Sequence, residues 1–170
     1  MEFGGNAVTF SWKSLAAEAA LLAGSLLLQQ TLVHSIALGS IRPDIPLIAL
    51  TAVALRRGPV AGLYAGLMLG LVEDIYAINT LGAGALSTCM VGYALGFFED
   101  KVVKSMPATR MLLLGSALLG HDIVYYLAVG FRGEIFWDAL LRETVPSAVY
   151  TLLVGAAVFY FFARFKSRET

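Results

Sequence analysis

Long apolar runs separated by short polar turns dominate the chain, and each run predicts a helix. The runs lie near residues 15–38, 41–55, 59–76, 81–98, 108–129 and 145–165. A helix that spans a membrane needs about 20 mainly apolar residues. The second run is the shortest. As a helix it would extend only about 22 Å at 1.5 Å per residue. The pattern predicts an all-α integral membrane protein with six transmembrane helices in one bundle.

Residues 131–144 show a different pattern, with apolar and charged positions on opposite sides of one helix. The apolar side carries Phe136, Trp137, Leu140 and Leu141, and the charged side carries Glu134, Asp138, Arg142 and Glu143. A helix of this kind lies in the plane of the membrane interface. We therefore expect a short interfacial helix before the last span, with Trp137 as its anchor.

The basic residues give the predicted bundle an orientation. With six spans, one side holds Lys13, Arg56, Arg57, Lys101, Lys104, Arg110, Arg164, Lys166 and Arg168, and the other holds Arg42, Arg132 and Arg142. Lysine and arginine accumulate on the cytoplasmic side of membrane proteins. We therefore predict that both termini are cytoplasmic and that the protein is a multi-pass protein of the cytoplasmic membrane.

Two ladders of small residues occupy the third and fourth spans. The first ladder is Gly58, just before the third span, with Gly62, Gly66 and Gly70 inside it, and the second is Gly84, Thr88, Gly92 and Gly96 in the fourth, always four residues apart. In water a glycine destabilises a helix by about 1 kcal/mol relative to alanine. In a bilayer, small residues at this spacing let two helix backbones approach closely. The ladders predict a seam between two antiparallel helices.

Polar residues within the spans fall mainly in the outer half of the predicted bundle. They include Arg42, Asp44, Asp74, His121 and Asp122, and Asp74 continues the glycine ladder four residues after Gly70. Ionisable groups at such depth are costly, so they pair with one another or line a cavity. Two interpretations stay open: the groups tie helices together, or they form an outer polar cluster that receives a partner segment or a small ligand.

The first span carries a further face of small residues near its cytoplasmic end. Ala16, Ala20 and Gly24 repeat every four residues. This face would let another helix approach closely. It is either a packing surface inside the bundle or a docking face for a partner.

Composition excludes several classes of function. The chain of 170 residues is 58% hydrophobic, 14% charged and of zero formal net charge. This balance excludes an ordinary soluble domain and argues against a nucleic-acid partner. Cys89 is the only cysteine, so we expect neither a disulfide nor a cysteine-based metal site.

No motif of enzymatic chemistry appears in the sequence. Ser87 lacks the turn pattern of a serine hydrolase, and the zinc motif HExxH is missing. The neighbours His121 and Asp122 diverge by about 100° on a helix, which disfavours a catalytic pair. We predict no catalytic residues, no cofactor and no metal.

At this point the order of the motifs resembles the MreD family of bacterial rod-shape proteins. The matching pieces are Arg42-Pro43-Asp44, the Gly62–Gly70 ladder with Asp74, Leu81-Gly82, Gly92-Tyr93 and Asp122 in the fifth span. Glu73 stands beside Asp74, so which acid occupies the family's polar position stays open. The resemblance covers nearly the whole chain.

This resemblance implies a non-catalytic scaffold or regulator of the cell-elongation machinery in the bacterial inner membrane. The expected direct partner is MreC, which has a single span, with MreB, RodA and a penicillin-binding transpeptidase in the larger complex and membrane lipid around it. The family is also similar in fold to substrate-binding subunits of energy-coupling-factor vitamin transporters. The alternative function is therefore such a subunit, with an outward-facing pocket.

Overall fold

A computed structural model of the protein describes residues 12–31, 43–76, 82–98, 107–130 and 133–166, and every regular element among them is helical. The helices are α1 (Trp12–Thr31), α2 (Ile45–Arg57), α3 (Pro59–Tyr76), α4 (Ala83–Gly96), α5 (Pro107–Val129), α6 (Glu134–Ala139) and α7 (Val145–Lys166). The prediction of an all-α protein is confirmed for this part of the chain.

The short helix α2 lies at the centre and contacts α1, α3, α4, α5 and α7. Leu47, Leu50 and Ala54 are at most 1% exposed. The helix begins where the Asp44 carboxylate accepts a hydrogen bond from Leu47 N at 2.9 Å. An aspartate in this position satisfies a backbone donor that the helix itself cannot pair. The second predicted span, the shortest in the sequence, therefore forms the core of the bundle as α2.

Helices α3 and α4 pack antiparallel and form the closest pair in the structure. Helix α3 begins at Pro59 and ends at Tyr76, the bounds that the sequence predicts for the third span. Helix α4 begins after Gly82, whose φ of 94° lies in the left-handed region that glycine adopts readily. The tight start of α4 thus depends on a glycine.

The segment expected to form a separate interfacial helix continues into the last helix instead. Helix α6 passes through a π-helical turn, Leu140–Thr144, directly into α7. The Thr144 side chain is buried there, and its hydroxyl donates to the Tyr126 hydroxyl at 3.5 Å. A π turn widens the helix without breaking it. Residues 134–166 therefore form one long irregular helix.

Length and hydropathy single out one helix among the described residues as able to cross a membrane. This is Ala108–Val129 in α5, whereas the apolar helix Ala83–Gly96 is shorter. Helix α3 is nearly as long but ends in Glu73 and Asp74. The other helices do not meet both criteria over their described residues.

Candidate functional site

The interface of α3 and α4 brings the two glycine ladders into backbone contact. A Cβ added at Gly62 would meet the Gly92 carbonyl, and one added at Gly92 would meet the Gly62 carbonyl. A Cβ at Gly66 would meet the Thr88 carbonyl, and one at Gly96 would meet Pro59. All of these approaches are closer than 3.0 Å, so no side chain fits at these four glycine positions.

Thr88 joins the two helices by a hydrogen bond in the middle of this interface. Its Oγ1 lies 2.8 Å from Gly66 O on α3 and 2.7 Å from Gly84 O on its own helix. The hydroxyl can therefore donate its proton across the interface or within α4. Gly70 would meet this same hydroxyl and Ala85 if it carried a Cβ.

Gly58 stands at the end of the ladder, outside both helices. Its φ of 85° closes α2 and lets the chain turn into α3. Its carbonyl carbon lies against the position that a Cβ on Gly96 would occupy. This glycine therefore serves the turn as well as the close approach.

Asp74 is buried, with 3% of its surface exposed, and holds the start of α4. Its Oδ2 accepts hydrogen bonds from Gly82 N and Ala85 N, each at 2.9 Å, and its Oδ1 accepts one from Gly84 N at 3.0 Å. The first turn of a helix has backbone N–H groups without partners inside the helix, and its dipole attracts negative charge there. Asp74 thus supplies from α3 the cap that Gly82 cannot supply.

The remaining polar residues of the predicted outer cluster meet around α2 and α5. Asp44, His121 and Asp122 interact electrostatically, and Glu73 joins them from α3. Arg42 lies outside the described residues. Glu73, which the sequence left undecided, is therefore close enough to Asp44 and His121 to interact with them, while its neighbour Asp74 caps α4.

His121 and Asp122 make the contact that helix geometry disfavoured. His121 Nδ1 and Asp122 Oδ1 lie 3.0 Å apart, and the side chains are 14% and 28% exposed. Both side chains bend from neighbouring positions toward the same side of α5. The pair can exchange a proton, and the His121 ring also stacks on Tyr125 with centroids 6.2 Å apart.

Two hydrogen bonds hold the start of α2, and the sequence did not indicate either of them. Asp44 N donates to Thr151 Oγ1 on α7 at 3.0 Å, and Ile45 N donates to Gln29 Oε1 on α1 at 3.2 Å. Thr151 gave no signal, because a threonine in an apolar helix ordinarily bonds to its own preceding turn, as its 2.8 Å bond to Ser147 O also shows.

At the opposite end of α1 and α2, an ion pair joins the same two helices. Arg57 Nε lies 2.8 Å from Glu18 Oε1, with the side chains 14% and 22% exposed. Glu18 thus has a partner of opposite charge on the neighbouring helix.

The small-residue face of α1 points away from the bundle. Ala16 and Ala20 are exposed, and a Cβ added at Gly24 would have no atom within 4 Å. Helix α1 packs instead through Ser25, with Leu22 and Leu26 against the core. No helix among the described residues covers this face.

The described residues do not form a metal centre. In the ranges that the structure covers, no three His, Cys, Asp or Glu side chains lie close enough to hold a metal ion. The carboxylates accept hydrogen bonds from helix starts or pair with neighbouring side chains. The arrangement can hold helices together and exchange protons.

Comparison with known proteins gives one match. Residues 15–165 match the family described as rod shape-determining protein MreD. No curated protein and no solved structure matches the chain at a significant level. The match covers nearly the whole chain and all or most of every helix described above, and it confirms the family that the order of the sequence motifs predicts. The chain therefore belongs to the MreD family of bacterial rod shape-determining membrane proteins.

Proposed function

We propose that this protein is a non-catalytic, multi-pass scaffold of the cell-elongation machinery that acts by binding MreC. Through MreC it would connect MreB, RodA and the penicillin-binding transpeptidase, and so regulate peptidoglycan synthesis. Family membership supports a role in rod shape. The close backbone contact between α3 and α4 supports a rigid platform, since closely packed helices have little freedom to shift.

The proposed topology has six spans with both termini in the cytoplasm. Helices α1 to α5 supply the first five spans, and α7 supplies the sixth. The imbalance of lysine and arginine between the two sides of the chain supports this orientation. The Glu18–Arg57 pair then lies at the cytoplasmic end, and the group around Asp44 lies toward the outside.

The observation that carries the proposal is the open small-residue face of α1. In a membrane, helices associate mainly through close packing, which small residues at a spacing of four permit. Ala16, Ala20 and Gly24 present this spacing on a surface that no described helix covers. We propose that the single span of MreC packs here.

We expect Ala20→Leu to abolish co-purification of MreC without unfolding the protein. Ala20 is exposed, so a larger side chain fits in the free protein but keeps a partner helix at a distance. The measurement is the amount of MreC retained by the tagged protein in detergent, with the unfolding temperature recorded in parallel.

Ala94→Leu is the matched control, because Ala94 is also exposed, on α4, and lies near the same end of the bundle. It should retain MreC at the wild-type level. Equal retention by both variants would show that the α1 face is not the binding surface, and no retention by the wild-type protein would refute the complex itself.

The groove found among the described residues does not specifically support a vitamin-binding subunit. An open groove between α5 and α7 is lined by Met111, Leu112, Val149, Leu152, Leu153 and Ala156, all apolar. A vitamin site would combine such walls with a few placed polar groups. Mass spectrometry of the purified protein should accordingly detect no bound vitamin.

A further inference from the structure

The open groove between α5 and α7 is an apolar cavity on the side of the bundle. Its volume is about 460 Å³, and all the residues that line it are apolar. Leu112, Val149 and Leu153 lie at its rim, where 72%, 55% and 65% of their surface is exposed. Apolar walls bind apolar groups, so the groove fits a hydrocarbon ligand better than a polar one.

A transmembrane helix fits this groove poorly. Helices associate in membranes through small residues that let their backbones approach. The rim of the groove carries leucine and valine side chains instead, which hold a second backbone at a distance. An acyl chain is much narrower than a helix, whose diameter with side chains is about 10–12 Å, so it can lie between these side chains and add dispersion contacts to the walls.

The groove lies beside the first half of α5. Leu112 belongs to the second turn of α5, and Leu114 lies against Gly155 of α7, next to the lining residue Ala156. From Val149 to Ala156 the groove follows α7 for about 10 Å. One leaflet of a bilayer offers about 15 Å of hydrocarbon, half of the core. In the proposed topology α5 begins at the cytoplasmic side, so the groove lies in the cytoplasmic leaflet and accommodates most of one acyl chain.

Basic residues stand at the cytoplasmic ends of both helices that form the groove. Arg110 belongs to the first turn of α5, and Arg164 and Lys166 belong to the last turn of α7. Neither of these two turns contains an aspartate or a glutamate. Basic residues near a membrane surface attract anionic lipids. The charges at this end of the groove therefore complement the head group of an anionic phospholipid.

We infer that the α5–α7 groove binds one acyl chain of an anionic phospholipid from the cytoplasmic leaflet, with the head group at the basic ends of the two helices. This inference rests on the proposed multi-pass topology. It adds to the proposed function a lipid-binding site that is separate from the α1 face.

Native mass spectrometry of the full-length protein in detergent measures the binding. The probes are palmitoyl-oleoyl phosphatidylglycerol and the phosphatidylcholine with the same two chains, each added to delipidated protein. We expect one phosphatidylglycerol to bind with about fivefold or higher affinity than the phosphatidylcholine, since each basic residue near the membrane surface contributes about that factor for an anionic lipid. Equal affinities for the two lipids, or no binding of phosphatidylglycerol, overturn the inference.

Ala156→Phe tests the groove itself. Ala156 is exposed and lines the groove, so a phenyl ring at this position fills the groove without entering the core. We expect this variant to lose the bound phosphatidylglycerol and to keep the wild-type unfolding temperature in lipid-free detergent. Ala157→Phe is the matched control, because Ala157 is also exposed but is not among the lining residues. Equal binding of phosphatidylglycerol by the two variants contradicts a site in the groove.

A photoreactive lipid locates the chain in the wild-type protein and does not depend on the folding of a variant. A phosphatidylglycerol with a diazirine on one acyl chain is irradiated with the protein, and the labelled peptides are identified. We expect the strongest labelling in residues 111–115 and 149–156. Helix α3 provides the comparison, because Tyr64 and Met68 are also exposed there but lie outside the groove. Labelling of α3 as strong as that of α5 and α7 overturns the inference.

The outcomes separate this inference from the proposed function. Lipid binding is measured on the protein alone, so failure to retain MreC would refute the scaffold proposal and leave the lipid site standing. A normal MreC complex with no bound phosphatidylglycerol would refute only the lipid site. Release of the protein from vesicles by alkaline carbonate would refute the multi-pass topology and with it both proposals.

Discussion

Gly66→Ala should lower the free energy of unfolding by about 3 kcal/mol or more, which lowers the unfolding temperature by roughly 6 °C or more. The added methyl group would meet the Thr88 carbonyl and the Cys89 Cα, which are backbone atoms. A flexible side chain could move away, but here the two helices must separate. Separation would also lengthen the hydrogen bond between Thr88 Oγ1 and Gly66 O. Thermal unfolding in detergent measures the effect.

Gly120→Ala is the control for this prediction. It places the same methyl group on the interior of a helix, but its neighbour is the Val91 side chain at 3.7 Å, an ordinary contact. We expect this variant to match or exceed the stability of the wild type, because alanine favours a helix over glycine. If the two variants unfolded at the same temperature, close packing of α3 and α4 would not be a main source of stability.

Asp74→Ala should destabilise the protein by about 2–6 kcal/mol, since the buried N–H groups of Gly84 and Ala85 lose their acceptor. The residue that precedes α4, Gly82, has no side chain to replace the lost cap. The first turn of α4 would fray, and the adjoining part of the α3–α4 interface would loosen with it. The level of folded protein in the membrane and its unfolding temperature measure this loss.

The neighbouring acid provides the comparison. Glu73 interacts with two groups of like charge, Asp44 and Asp74, and with only one group of opposite charge, His121, and no described hydrogen bond joins it to the start of α4. We therefore expect Glu73→Ala to remain as stable as the wild type. An Asp74→Ala protein that is as stable as Glu73→Ala, but fails to retain MreC, would instead assign Asp74 to partner binding.

The sequence predicted the α3–α4 contact because two local patterns agreed. Small residues at a spacing of four define one face on each helix, and a short connection makes neighbouring helices antiparallel. Gly62 then falls opposite Gly92, and Gly66 falls opposite Thr88. The helices themselves were likewise predicted from the apolar runs of the sequence.

Side-chain direction at the ends of helices could not be predicted in the same way. Glu73 and Asp74 are adjacent acids, and only the position of α4 decides that Asp74 becomes its cap. His121 and Asp122 diverge on an ideal helix, yet their side chains bend to within 3.0 Å. Such contacts depend on rotamers and on neighbouring helices, which a single sequence does not specify.

The continuity of α6 with α7 was also beyond sequence reasoning. The charged positions Asp138 and Arg142 suggested a surface helix, and they do form an exposed ion pair. The π turn at Leu140–Thr144 joins the two helices without a break, and Pro146, two residues after it, lies inside the continuous helix. Thr144 and Tyr126, which meet there, are 18 residues apart in the sequence, and Tyr126 belongs to α5.

The most direct test of the scaffold proposal is cell shape after depletion of the protein from its native cell. The proposal predicts that cells lose their rod shape and become round, that wild type and Ala94→Leu restore rods, and that Ala20→Leu does not. Rods that persist after depletion, or that Ala20→Leu restores as fully as Ala94→Leu, would contradict a scaffold that acts through the α1 face.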